Sequence, residues 1–296
     1  VTASSPEPSQ ASAQGADEPE ILRIWREGRS WDLGVVGVDP AQMHEYAAAT
    51  NDLADAYYGP DAIAPPMFHV RLMRDLLFGI MEDPGLGLDM LRLLHGEHDA
   101  TFHRPLRPGD LVHLRGRLSH LEQKAKGLVV EARMVGFVEG SPAVEARTLF
   151  FIRGQQVTEV GRGRRAPGPD RSMPEREPDA ALRWTVDPDQ SHRYAAASLD
   201  VNPIHLDPAT AQAAGLPDVI LHGLCTMAMA SKSIVRSECH HQPSQLARLA
   251  VRWTRPVFNG STLTTQLWRT GDKERRFMVV QDDGAPVITH GLAELR

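Results

Sequence analysis

The chain repeats itself, and the repeat decides what it can fold into. Asp39-Pro40-Ala41-Gln42-Met43-His44-Glu45-Tyr46-Ala47-Ala48-Ala49-Thr50 aligns without a gap with Asp187-Pro188-Asp189-Gln190-Ser191-His192-Arg193-Tyr194-Ala195-Ala196-Ala197-Ser198, eight identities in twelve positions at an offset of 148. Further on, Arg104-Pro105 and Gly109 answer Arg255-Pro256 and Gly260. A period this long means two copies of one folding unit in tandem. Between them, residues 154–180 are rich in Pro, Gly and charge without an apolar period, which predicts a linker over the surface. The expected units are therefore 21–153 and 181–296. Residues 1–20, made of Ser, Pro, Ala and acids, predict a disordered tail with no secretory signal in it.

Each copy reads in the same order: a short strand, a capped helix, a loop, a buried helix and four β-rich runs. The runs fall near 94–103, 110–121, 127–138 and 143–153 in the first copy, and near 245–254, 261–269, 275–281 and 286–293 in the second. A long helix followed by an antiparallel meander predicts an α+β unit whose sheet wraps round the helix.

Chemistry concentrates in the second copy, in Asp200-Val201-Asn202-Pro203-Ile204-His205-Leu206-Asp207-Pro208 and in Leu221-His222-Gly223-Leu224. Asp207 before Pro208 signals a helix start and Gly215 a stop, so His205 stands just ahead of a short helix. Pro203 drives Asn202 towards an extended conformation, so Asp200, Asn202 and His205 share a bent loop and their side chains can converge. From Gly223 to Arg236 apolar residues recur at helical spacing. The start of that helix offers free N–H groups and a dipole to a developing oxyanion, and Gly223 permits close approach. Read blandly, Asp200 and Asn202 satisfy backbone N–H groups, His205 packs, and His222 caps its helix.

With Tyr194-Ala195-Ala196-Ala197-Ser198-Leu199 in front, this run is similar to the signature of the MaoC-like, R-specific enoyl-CoA hydratases. The resemblance implies a double hot-dog fold, two fused units each with an antiparallel sheet around a central helix. It also implies water addition to a trans-2-enoyl thioester without metal or other cofactor. Asp200 and His205 would then hold the water, Asn202 orient it, and Gly223 face the thioester oxygen, with Ser198, His222 and Leu224 on the substrate side. The family usually carries Gly where this chain has Leu199. Alternatives left open are a 3-hydroxyacyl-carrier-protein dehydratase, a hot-dog thioesterase, and a non-catalytic acyl-thioester-binding protein.

The first copy has diverged at these positions. Asp52 stands opposite Asp200, but Ala54 replaces Asn202, Tyr57 replaces His205, and Val70 follows His69 where Gly223 follows His222. Its loop is five residues shorter, since His69 follows Tyr46 by 23 and His222 follows Tyr194 by 28. One active site per chain is expected, with Asp52 structural and space for an acyl tail near Ala54 and Ala64.

Elsewhere the residues read as structure. His95, His98 and His103 read as a solvated strand face, His240 and His241 as loop surface, and Met227 and Met229 as core. A net charge of −6 disfavours nucleic acid as a partner, leaving acyl-CoA or an acyl-carrier-protein thioester and a possible homodimer. Cys225 and Cys239, the only cysteines, suggest a reducing compartment, and no apolar run is long enough to span a bilayer. A cytoplasmic location is the resulting expectation.

Overall fold

The computed structural model describes residues 19–157 and 170–296. The expected tail lies outside these residues except for Pro19 and Glu20, and so does the middle of the expected linker. Among the described residues no helix is long and apolar enough to cross a membrane.

In the first copy, α1 (Glu20–Glu27), β1 (Ser30–Gly37), α2 (Pro40–Ala49) and α3 (His69–Met81) precede β2 (Leu93–Phe102), β3 (Leu111–Lys124), β4 (Gly127–Val138) and β5 (Ser141–Arg153). The second copy repeats the order with β6 (Ala180–Thr185), α4 (Gln190–Ser198), α5 (Pro208–Ala213), α6 (Gly223–Glu238), β7 (Leu246–Trp253), β8 (Thr262–Arg269), β9 (Glu274–Gln281) and β10 (Pro286–Leu295). All ten strands form one antiparallel sheet in the order β1-β3-β4-β5-β2-β7-β10-β9-β8-β6, so each copy mirrors the other about the β2–β7 seam. Helices α3 and α6 pack in the embrace of this sheet, each burying one long face in a single core. The architecture is the double hot-dog.

Local chemistry explains the shared elements. Asp39 caps α2 by accepting from the Ala41 N–H, with Pro40 in the first turn. Its counterpart Asp187 does not cap α4, which starts at Gln190; it instead accepts from Arg193 of its own copy and, across the two copies, from Asn51. Tyr46 on α2 and Tyr194 on α4, partners at the repeat offset, meet through their hydroxyls at 3.2 Å. A residue that touches its own counterpart marks the axis relating two copies. Helix α1, which has no counterpart among the described residues of the second copy, was not legible in the expected strand-first order. It buries Ile21, Leu22 and Ile24.

Helices α2 and α4 end alike. Asn51 and Leu199, again one repeat apart, both take the left-handed conformation, at φ 54° and φ 65°. Asn tolerates it; leucine's Cβ makes it costly by roughly 1–2 kcal/mol. This is the physical reason for a glycine here, and Leu199 carries the strain in its place. Leu199→Gly is expected to raise stability by about 1 kcal/mol, read as a rise of a few degrees in Tm. An unchanged or lower Tm would remove the strain argument.

Candidate active site

Position 199 ends α4 and turns the chain into the loop that carries Asp200. The loop is fixed by hydrogen bonds between residues two apart. Ser198 Oγ accepts from the Asp200 N–H (3.3 Å), Asp200 Oδ1 from the Asn202 N–H (3.3 Å), and Asn202 Oδ1 from the Ile204 N–H (3.3 Å). The last of these starts a single 3₁₀ turn, Pro203–His205. Asp207 then caps α5 through the Ala209 and Thr210 N–H groups.

His205 ends up buried, with Nδ1 2.8 Å from the Ile220 carbonyl. A carbonyl only accepts, so Nδ1 carries the proton and Nε2 keeps its lone pair. Burial pulls the imidazole below its ordinary pKa, against the opposing pull of the Asp200 carboxylate. His222 is fixed in the same way: its Nε2 donates to the Asp200 carbonyl (2.9 Å), and its ring stacks on His205 at 3.8 Å between centroids. Burial, and then the neighbouring His205, push its pKa down to about 3. His222 therefore does not cap α6. Its Nδ1 is buried without a partner among the described residues.

A side-chain oxygen of Asp200 and ring nitrogens of His205 and His222 lie within 4.8 Å of one another. Among the described residues this is the one set spaced to chelate a cation, and the same spacing suits a water molecule. Next to them α6 begins at Gly223, whose N–H and that of Leu224 precede the first bonds of the helix. Gly223 is hemmed in from the other side: Trp253 Nε1 donates to its carbonyl (3.0 Å), and a Cβ on it would stand 3.0 Å from the indole ring.

These groups open into a cavity of about 890 Å³ lined by both copies. Asp200, Asn202, His205, Ser198, His222, Gly223 and Leu224 all line it, so the structure brings every residue expected from the sequence to one place. Asn202 is exposed at its edge, whereas Ser198 and His222 are buried in its wall. From the first copy come Val70, Met73, Leu77 and Met81 of α3, with Leu93, His95 and His98 of β2.

Two expectations need correcting, and one residue was missed. His95 and His98 are not a solvated face. His98 is buried, accepts from the Thr148 hydroxyl (2.9 Å) and donates to His69 Nε2 (3.1 Å), while His95 packs on Trp253 with ring centroids 4.4 Å apart. Strand β2 has both faces covered, so the usual alternation of inside and outside gave no hint; only His103 is exposed, 3.1 Å from Glu145. The degenerate site is not open space. Tyr57 fills it, donating to Asp52 (2.7 Å) and packing with Ala47, Ile63 and Ala54, and burial raises the Asp52 pKa despite that bond. The open cavity lies instead between α3 and the sheet. Trp253, which joins Gly223 to His95, was missed; as a lone aromatic at a strand end it carries no signal in the sequence.

Residues 170–290 match the family model described as the MaoC like domain, and residues 34–144 that of the FAS1-like dehydratase domain region. The chain is 32% identical over 252 residues to enoyl-CoA hydratase 2, peroxisomal, of Arabidopsis thaliana, covering 81% of each chain. It is 34% identical over 200 residues to 3-hydroxyacyl-thioester dehydratase Y of Mycobacterium tuberculosis, covering 65% of this chain and 68% of that one. A solved MaoC-like dehydratase from Phytophthora capsici superimposes with a TM-score of 0.82 at 25% identity, over 93% of this chain and 98% of the other. Likeness of this extent in both sequence and fold, with the second-copy match spanning the whole Asp200–Gly223 centre, makes the chain a member of the MaoC-like dehydratase family.

Proposed function

We propose that the protein reversibly hydrates trans-2-enoyl-CoA to (R)-3-hydroxyacyl-CoA, with Asp200 and His205 as the acid–base pair. The convergence of a carboxylate, an imidazole with a free Nε2 and an unencumbered helix N-terminus on one cavity carries this reading. The thioester carbonyl makes C3 electrophilic. Water held between Asp200 and His205 Nε2 gives one proton to the pair as its oxygen bonds to C3. The C2–C3 π pair becomes a C1–C2 double bond as the carbonyl π pair moves onto the thioester oxygen, whose charge the Gly223 N–H and the α6 dipole stabilise. The pair then returns a proton to C2. Water and proton come from one side, so addition is syn. Run backwards, the same site dehydrates a 3-hydroxyacyl thioester.

Supporting residues act through these groups. Asn202 holds the turn that aims His205, Ser198 anchors the Asp200 backbone, and His222 supports both from beneath. Leu224 lines the cavity beside the thioester. The first copy lacks the His and the Gly, so one site operates per chain. The test is loss of enoyl absorbance from trans-2-enoyl-CoA with purified protein, with the product analysed on a chiral phase. No turnover, or an S product, would sink the proposal.

A second expectation concerns Gly223. Gly223→Val puts methyl groups into the Trp253 indole and beside the oxyanion N–H. Losing one such donor lowers kcat by roughly 10²- to 10³-fold. Gly223→Ala, with a single carbon to place at 3.0 Å, should fall between. A valine variant with normal kcat would take the helix start out of the mechanism.

A further inference from the structure

The charges along the cavity wall are lopsided. Among the described residues Asp200 is its only acid, whereas four arginines line it, in a chain whose net charge is −6. They come from both copies. Arg255 follows Thr254 on the catalytic side, where the thioester would enter. Arg74, Arg92 and Arg153 belong to the first copy, on α3, just ahead of β2 and at the end of β5.

Helix α3 and strand β2 both line the channel. His69 at the head of α3 touches His98, and Met81 at its tail lines the cavity together with Leu93 at the start of β2. The 13 residues of α3 cover roughly 20 Å at 1.5 Å per residue, the length of an extended acyl chain of about sixteen carbons. The wall along the way is Val70, Met73, Leu77 and Phe150.

Of the three guanidinium groups from the first copy, those of Arg74 and Arg92 have protein partners. Arg74 lies over the Phe78 ring at 4.3 Å, and its Nε is buried without a partner among the described residues. Arg92 Nη1 stands 3.3 Å from where a Cβ on Gly154 would be, beside Arg153. Asp75 and Asp89 each engage one nitrogen, of Arg74 and Arg92 respectively, and neither lines the cavity. Donors therefore remain to face it. An apolar channel that ends in arginines suits a chain that ends in an anion, because a planar guanidinium fork pairs with a carboxylate and a terminal methyl gains nothing from it.

We propose that this distal arginine group receives a carboxylate at the far end of the acyl chain, so that the preferred substrates are long ω-carboxyacyl thioesters. The proposal rests on the hydratase reading only for the identity of the thioester end.

Binding separates the two. Hexadecanoyl-CoA and its ω-carboxy analogue, the mono-CoA thioester of hexadecanedioic acid, are saturated and are titrated calorimetrically into the full chain. Wild type should bind the ω-carboxy thioester more tightly. In the Arg92→Gln/Arg153→Gln variant that thioester should lose about 10- to 100-fold in affinity, the usual range for hydrogen bonds to a charged group. Hexadecanoyl-CoA should stay within about twofold, which also reports that the variant is folded. Arg74→Gln should act in the same direction. Equal losses for both thioesters would mean that these arginines hold CoA phosphates and would overturn the proposal. So would a wild type without preference for the ω-carboxy chain. Hydration of trans-2-hexadecenoyl-CoA by wild type, measured separately, tests the hydratase reading alone.

Discussion

His205→Gln is expected to lower kcat for enoyl-CoA hydration by about 10²- to 10⁴-fold or more, the usual contribution of a general acid–base group, with the fold unchanged. Glutamine can still donate to the Ile220 carbonyl but has no lone pair of comparable basicity to set beside Asp200. Asp200→Asn should do as much damage. The double variant should be little worse than either single one, because the two groups hold one water. Wild type carries a matching pH signature: burial keeps His205 below its ordinary pKa, so kcat/KM should hold as pH falls through about 6.5 and decline only below it. An acid limb at or above the ordinary imidazole value, or a His205→Gln enzyme near wild-type rate, would remove His205 from the reaction.

Acid should also unfold the protein early. Burial, in each case the first cause, pushes His69 down to about 4 and His222 to about 3, and holds His98 well below its ordinary value. All three are at most 2% exposed. Imidazoles in the unfolded chain titrate near 6.5, so below that pH the unfolded state binds protons that the folded state refuses. The stability these rings contribute is complete above about 6.5 and drains away as pH falls, at roughly 4 kcal/mol per pH unit for the three together. Urea unfolding at pH 7.5, 6.5 and 5.5 would read it, with a steep loss in the last interval. A profile flat to pH 5 would show that these rings accept protons inside the fold.

Much of this was legible in the chain because it is written in local signals. The strand limits expected near 127–138 and 261–269 stand at 127–138 and 262–269, since turn residues and β-branched runs mark them. The Asp200–His205 loop was legible because Pro203, Asp207 and Pro208 constrain its backbone through neighbours in sequence. What stayed hidden depends on contacts between distant segments. His95 and His98 look like one face of a strand until α3 and Trp253 cover it. The tail space was sought where the first copy is short, near Ala54 and Ala64, but a shortened loop closes when an aromatic ring can fill it, as Tyr57 does. Aligned sequence cannot say which of two gaps a side chain occupies.

The contact between Tyr46 and Tyr194 has a consequence for heredity. Two identical subunits meeting in this way would share one gene, and every change in the wall of the acyl channel would also fall on the catalytic loop of the same subunit. Here the partner has its own codons, 148 residues upstream. The lining contributed by α3 and β2 can therefore change while Asp200, His205 and Gly223 stay as they are. Selection on what the protein accepts is uncoupled from selection on what it does, within a single continuous sheet.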